Sequence, residues 1–291
     1  MKWVCRALLI AFLGLSGSTQ ELAERRVAVP LIVTDSHYTP VSVTVESLVI
    51  TDENMPVTGA RLLRGSDLPV ELGVLIDTSA SERDRQADEI VKAVRQFVDA
   101  IIRGPEDRVF FVQFWAVSQL GEWLTKNQLQ SYTMDKAHLG GGTALYDALF
   151  VACQKRMGQR DWRKPTRRVL LLISDGEDNL SHVKPEEAVS EALKAGVVIF
   201  TINNGGWNSQ MKGKKTMDHW AQLTGGEAFS QIHGKEMPKT LSSVQAMIDT
   251  MYYLNYAPPD AAKSAVHKIE VKSAAKEKLK LSYPTKYLWN P

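Results

Sequence analysis

Cysteine is almost missing from this chain. The 291 residues contain two, Cys5 and Cys153. Cys5 falls in a segment expected to be removed, so the remaining chain can form no internal disulfide. Leu145, Leu149 and Cys153 recur every four residues and share one helix face, which makes Cys153 a small core residue. An excess of charge is missing too. There are 35 Lys and Arg against 33 Asp and Glu, and Lys2 and Arg6 leave with the N-terminal segment, so the rest is neutral. That balance gives no reason to expect nucleic acid or an anionic membrane as the main partner. After the N-terminus no apolar run approaches the roughly 20 residues needed to cross a bilayer. There is no Gly-x-Ser-x-Gly elbow and no His-Glu-x-x-His helix, which removes two common hydrolase designs. No internal repeat or low-complexity tract is present.

The N-terminus has the pattern of an export signal. Lys2 and Arg6 make a basic start, Ala7 to Leu15 a short apolar run, and Ser16, Gly17 and Ser18 a small-residue end. The expectation is cleavage near Ser18 and a secreted or periplasmic protein with no transmembrane segment in its mature form.

The centre of the chain alternates strand-like and helix-like segments. Strands are expected at Val70 to Asp77, Arg108 to Phe114, Arg168 to Ile173, Val197 to Ile202 and Ala228 to Ile232, with a short one within Val117 to Leu124. Helices are expected at Arg83 to Ile102, Ala144 to Met157, Pro185 to Ala195, Thr216 to Leu223 and Met237 to Tyr253. The first carries Ile90, Val94, Phe97, Val98 and Ile101 on one face. Pro185 opens and Gly196 closes the third. The alternation predicts an α/β fold, a doubly wound, mostly parallel, Rossmann-like sheet with helices on both faces. The flanks carry no convincing helix. Val27 to Thr34, Leu48 to Thr51 and Val57 to Leu63 are strand-like, Val41, Val43 and Val45 alternate with polar residues, and a turn is expected at Asp52 to Pro56. His267 to Lys272 and Leu279 to Ser282 are strand-like, with Lys272 to Lys280 a solvated turn. Lone hairpins are marginal, so the two flanks are expected to combine in a small antiparallel β unit. The expected division is a signal over 1–18, an N-terminal β segment over 19–66, the α/β domain over 67–253 and a C-terminal β segment over 254–291.

The stretch Asp77-Thr78-Ser79-Ala80-Ser81 follows an apolar strand and puts a carboxylate and two hydroxyls at alternate positions. Ser174-Asp175-Gly176 closes a second buried strand, and Gly141-Gly142-Thr143 opens a helix. Open parallel sheets bind ligands beyond the carboxyl ends of their strands, where strand order reverses. Oxygen ligands gathered there suit a hard divalent cation such as Mg2+, with Mn2+ or Ca2+ as alternatives. Each piece has a plainer reading: Ser81 with Asp84 matches a helix capping box, Gly140 to Thr143 is a glycine-rich turn without the Lys of a phosphate loop, and Asp175-Gly176 is a common turn.

In this order the three pieces resemble the metal-ion-dependent adhesion site of the von Willebrand factor type A (VWA) family. The resemblance runs from about Leu68 to Tyr253 and is most specific at Leu75 to Ser81, Gly142 to Leu149 and Leu171 to Asn179. It implies that the strands ending at Asp77 and Asp175 lie side by side, and that Asp77, Ser79, Ser81, Thr143 and Asp175 hold the cation. Ser79 and Ser81 would bind directly, Asp77 and Asp175 often through water, and Thr143 when ligand is present. An acidic side chain of a partner protein would complete the coordination, so the cation bridges rather than generates hydroxide. The flanks look like those of a bacterial secreted subgroup. Ala80 and Glu82 depart from the usual Gly and Met, without removing a ligand.

Three further residues are candidates for touching a partner. Trp207 and Lys212 lie in the loop after the Val197 strand, and Trp115 follows another strand end. The functional expectation is a secreted, metal-dependent, adhesion-type protein-binding module without catalysis. The alternatives are a Mg2+-dependent hydrolase or phosphatase, although the second Asp of a haloacid-dehalogenase site is replaced by Ser79, and a scaffold whose metal site is vestigial.

Overall fold

The computed structural model describes residues 26–79, 84–134, 141–158, 164–205, 211–259, 265–274 and 278–289. The expected signal lies outside the described residues. The strands among the described residues are numbered in chain order: β1 (Val27–Thr34), β2 (Leu48–Asp52), β3 (Met55–Pro56), β4 (Arg61–Arg64), β5 (Val70–Asp77), β6 (Arg108–Phe114), β7 (Ser118–Leu120), β8 (Leu124–Thr125), β9 (Arg167–Ser174), β10 (Val198–Asn203), β11 (Ala228–Ser230), β12 (Tyr252–Tyr256), β13 (Ala265–Ser273), β14 (Lys280–Ser282) and β15 (Lys286–Trp289). The helices are α1 (Asp84–Ile101), α2 (Lys126–Leu129), α3 (Leu145–Ala152), α4 (Pro185–Ala195), α5 (Met211–Thr224) and α6 (Met237–Thr250).

The main sheet has the order β11-β10-β9-β5-β6-β7, with β8 also on β6. From β11 to β6 every pairing is parallel, and only β7 and β8 run against β6. Its central strands are apolar on both faces because both are covered. Leu72, Val74 and Ile76 of β5 pack with Val94, Phe97 and Ile101 of α1 and Leu241, Val244 and Ile248 of α6. Leu75 faces the other way, toward Leu145 and Leu149 of α3, Ala192 of α4 and Trp220 of α5. The expected doubly wound α/β fold is present.

The flanks form two four-stranded antiparallel sheets, β14-β1-β12-β4 and β15-β13-β2-β3. Between them lies a second core of Val27, Val29, Leu31, Val33, Ile50, Leu254, Tyr256, Ile269, Val271 and Trp289. β1 belongs to both cores, because its alternate residues Ala28 and Ile32 pack into the core under the main sheet. In the flank core Asp52 is fully buried and accepts hydrogen bonds from Tyr256 Oη at 2.8 Å and Tyr287 Oη at 2.5 Å, and pairs with His267 Nδ1 at 2.9 Å. The small antiparallel β unit expected of the flanks is thus a sandwich with its own core.

Several boundaries differ from the sequence reading. The last helix stops at Thr250, and one residue later the chain is β12, held between β1 and β4. The aromatic run Tyr252-Tyr253-Leu254-Asn255-Tyr256 favours a pleated surface over a helix. Val41, Val43 and Val45 make no strand, although their side chains do pack on the flank core. The only bridge there is Thr34 with Pro40, and Pro40 has no N–H to extend a ladder. Of Val57 to Leu63 only Arg61 to Leu63 are strand, the start of β4, because β3 ends at Pro56 and the chain then turns at Gly59. The Asp52 to Pro56 turn forms through Glu53 and Asn54, both at positive φ, as a two-residue hairpin requires. α3 gives way at Cys153 to a wider π turn ending at Met157. α5 begins at Met211, five residues before the expected Thr216.

Candidate metal centre

From β5 the chain crosses α1 to β6 on one side and later enters β9 on the other. The order reverses between β5 and β9, which makes their shared carboxyl edge the switch point of the sheet. Ile76 pairs with Ile173, so Asp77 and Ser174 end their strands at the same level. Asp77, which the sequence alone could not put next to the Asp175 loop, is beside it.

Asp77 is buried, and both carboxylate oxygens are engaged. Oδ1 accepts the Ser79 N–H at 3.0 Å, and Oδ2 accepts the Ser174 hydroxyl at 2.6 Å. Burial pushes the Asp77 carboxyl up to about 6, the nearby Asp175 charge adds to this, and the bonds from Ser174 and Ser79 pull the other way. The carboxylate is therefore an anion with too little compensation. Ser79 is buried on the same turn, and Thr78 fixes that turn to β6 through its N–H and hydroxyl, both bonded to the Phe114 carbonyl at 2.8 and 3.1 Å.

Asp175 is buried one residue past β9, and its Oδ1 accepts the Glu177 N–H at 2.9 Å. The backbone then turns at Gly176, whose φ is +83°. A Cβ there would stand 2.7 Å from the Gly213 carbonyl carbon, and one on Gly213 would stand 2.1 Å from the Gly176 carbonyl oxygen. Two glycines facing each other thus let the first turn of α5 close on this loop. Asn203, at the end of β10, donates its side-chain N–H to the Asp175 carbonyl at 2.8 Å.

Thr143 is buried and held from two sides. Its N–H donates to Asn179 Oδ1 at 2.8 Å, and its carbonyl accepts the N–H groups of Asn179 and Leu180 at 3.0 and 3.1 Å. Next to it, Ala144 N–H donates to the Trp115 carbonyl at 2.7 Å, beyond the end of β6. Gly142 has φ +96°, and a Cβ on it would meet Leu180 Cδ1 at 2.3 Å. The start of α3 is then satisfied by the Asp175 loop: Asp178 Oδ2 accepts Tyr146 N–H at 3.0 Å, and Ser181 Oγ accepts Tyr146 and Asp147 N–H at 3.0 Å. A carboxylate and a hydroxyl at a helix start replace the missing intrahelical partners.

Of the residues singled out from the sequence, Asp77, Ser79, Thr143 and Asp175 therefore come from three connections to one edge. Ser81, Ala80, Glu82 and Trp207 lie outside the described residues. Lys212 is in the first turn of α5, and nothing is described of its side chain. Trp115 is half-buried, and its carbonyl braces the Thr143 loop. His182 stands in solvent and pairs with Asp147 at 2.8 Å. Sequence reasoning gave no role to Ser174, Asn179, Asp178 or Ser181, which position the others. The only available signal was their place in the run Ser174 to Ser181, a density of short polar side chains that bond nearby backbone.

The donor chemistry fits a hard cation. Among the described residues no three His, Cys, Asp or Glu side chains converge in a form that would hold a metal. Two carboxylates and the hydroxyls of Ser79 and Thr143 remain, an all-oxygen set of the kind Mg2+ takes with retained water. Positive charge between Asp77 and Asp175 would relieve the burial cost that lifts Asp77.

The model of the von Willebrand factor type A domain matches residues 71–249. Comparison with curated proteins finds no match. Among solved structures, proximal thread matrix protein 1 from the mussel byssus is similar at 16% identity, over 65% of this chain and 49% of that one, with a TM-score of 0.48. The chain thus spans about half the length of that relative. A second structure of the mussel protein has zinc in its MIDAS motif and matches at 16% identity, over 62% of this chain and 48% of that one, with a TM-score of 0.47. The ArnB paralog VWA2 from Sulfolobus acidocaldarius matches at 14% identity, over 90% of this chain and 75% of that one, with a TM-score of 0.46. The matched family domain runs from the first strand of the switch point through nearly all of the last helix, and on that ground the chain belongs to the von Willebrand factor type A domain family.

Proposed function

We propose that this chain is an exported protein-binding module that uses a divalent cation, Mg2+ or in its place Mn2+ or Ca2+, to hold an acidic side chain of a partner protein. The observation that carries the proposal is the meeting of Asp77, Ser79, Thr143 and Asp175 at the switch point, with the Asp77 carboxylate under-compensated by burial. These four residues, with Ser81, would hold the cation. When bound, it supplies Lewis-acid attraction for a carboxylate oxygen from outside. The protein residues hold the ligands in place. Ser174 and Ser79 fix the Asp77 carboxylate, the Glu177 N–H fixes that of Asp175, and Asn179 fixes the Thr143 backbone. Two carboxylates neutralise a dication, so the incoming acid meets little net charge. Trp115, Trp207 and Lys212 are proposed to face the partner. The N-terminal basic-apolar-small pattern supports export. Among the described residues no helix is long and apolar enough to cross a membrane.

Calorimetric titration of the purified mature chain with Mg2+ and Mn2+, beside Asp77→Ala, tests the site. One saturable site, lost in a folded variant, is expected; no binding to the folded wild type overturns the reading. Mg2+-dependent turnover of a generic phosphate ester, abolished by Asp77→Ala, would favour a hydrolase instead.

A further inference from the structure

Three bulky apolar side chains stand in solvent around the same edge, each on a different connection. Leu180 is 44% exposed, Val117 57% and Met211 74%. Leu180 lies against Gly142, and its N–H is bonded to the Thr143 carbonyl at 3.1 Å. The Val117 carbonyl accepts the Trp115 N–H at 3.1 Å, while the Trp115 carbonyl holds Ala144, so Val117 flanks Thr143 from the β6 side. Met211 opens α5 two residues before Gly213, whose backbone abuts Gly176 beside Asp175. Exposed apolar residues scattered singly are ordinary. These three instead stand on separate segments that each border the loops of the two buried carboxylates.

The charges of the same loops define what this surface rejects. Asp175, Glu177, Asp178 and Asp147 gather there. Asp178 is committed to the start of α3, and Asp147 accepts the His182 and Val183 N–H groups at 2.9 and 3.0 Å. A partner bringing several acids would meet the like charge of Glu177 and Asp178 beside the cation. Apolar neighbours of a single acid would instead cover Leu180, Val117 and Met211 and exclude water from the carboxylate–metal contact, as side chains around an interface hot spot do.

We propose that this edge accepts a protein segment with one Asp or Glu closely flanked by bulky apolar side chains, and not an acidic run. This inference rests on the cation-site reading of Asp77 and its neighbours. The probe is a phage-displayed peptide library with a fixed central Glu and random neighbours, selected on the full chain in Mn2+. The expected pool is rich in Leu, Ile, Met and Phe within two positions of the Glu. It binds the double variant Leu180→Ser/Met211→Ser at least about tenfold more weakly, or about 1.4 kcal/mol, while Mn2+ titration of that variant is unchanged. A second double variant, Val117→Ser/Met211→Ser, leaves the Thr143 support untouched and should weaken binding in the same direction. A polar or polyacidic pool, an empty selection, or variants that bind as well as wild type, each with Mn2+ binding intact, would overturn the apolar rim and leave the cation site standing. Loss of Mn2+ binding by the wild-type chain itself would remove both.

Discussion

Replacing Asp77 by Asn should stabilise the metal-free protein at neutral pH. The Asp77 carboxyl is raised from 3.8 to about 6. A displacement of roughly two pH units, at about 1.4 kcal/mol each, places a penalty of about 3 kcal/mol on the folded state once the group is ionised. The sign follows from the folded form holding its proton more tightly than the unfolded one. The penalty is absent below the unfolded value, builds as pH rises from about 4 to about 6, and is complete above that. Asn keeps the acceptor for the Ser79 N–H, but it loses the bond that the Ser174 hydroxyl donates, at a cost of about 1 kcal/mol. The expected net gain is therefore about 2 kcal/mol at pH 8, whereas at pH 4, where only the lost bond counts, the variant should be about 1 kcal/mol less stable than the wild type. Urea denaturation of both proteins in a chelator at the two pH values measures it. Addition of Mg2+ should then reverse the order. A cation at a hundred times its Kd stabilises the wild type by about 2.7 kcal/mol and the variant by much less. A variant less stable at both pH values, or a difference that ignores pH, would refute the claim that burial of this carboxylate is what the cation relieves.

Gly176→Ala should cost at least about 2 kcal/mol, since it forces a side chain to positive φ and into the Gly213 backbone, and thermal melting reads it. It should also weaken Mg2+ binding in the same calorimetric titration. Asp178→Ala removes a cap from α3 and should lower stability by about 1 kcal/mol in urea, with a further loss of cation affinity through the Thr143 loop. Deleting Leu254 to Pro291 strips β1 of most of its β12 partner and of β14, so the shortened chain should fail to give a cooperative melt. A sharp transition with unchanged cation affinity would show that the α/β domain is separable.

The parallel sheet was legible because β5, β9 and β10 are runs of apolar residues long enough to be buried on both faces, and each helix between them carries its own start or stop. Pro185 and Gly196 mark α4 to the residue. The adjacency of β5 and β9 was not legible from spacing, since strand order depends on which side each crossover takes. It came from the resemblance alone. The end of α6 was misread because Met251 and Tyr252 continue the apolar spacing of the helix, and only the waiting edges of β1 and β4 decide for a strand. Val41 to Val45 erred in the other direction: alternation gives a strand its pattern, but a strand also needs a neighbour with free N–H and carbonyl groups. At the site, Asp77, Ser79, Thr143 and Asp175 could be named in advance by chemical type. Asn179 and Asp178 could not, because their task is to bond to backbone made elsewhere, and such a task leaves no pattern of its own.

The single residue Met251 between α6 and β12 has a mechanical consequence. β12 is zipped along its length to β1 and β4. A pull applied to the chain just past Tyr256 would load those antiparallel bonds in shear before it could reach the helix. Tension transmitted across Met251 acts along α6 itself, against the face of the sheet that supports the Asp77 strand. The flank sandwich is in effect an anchor plate, and the helix joined to it through Met251 would feel a tether attached there.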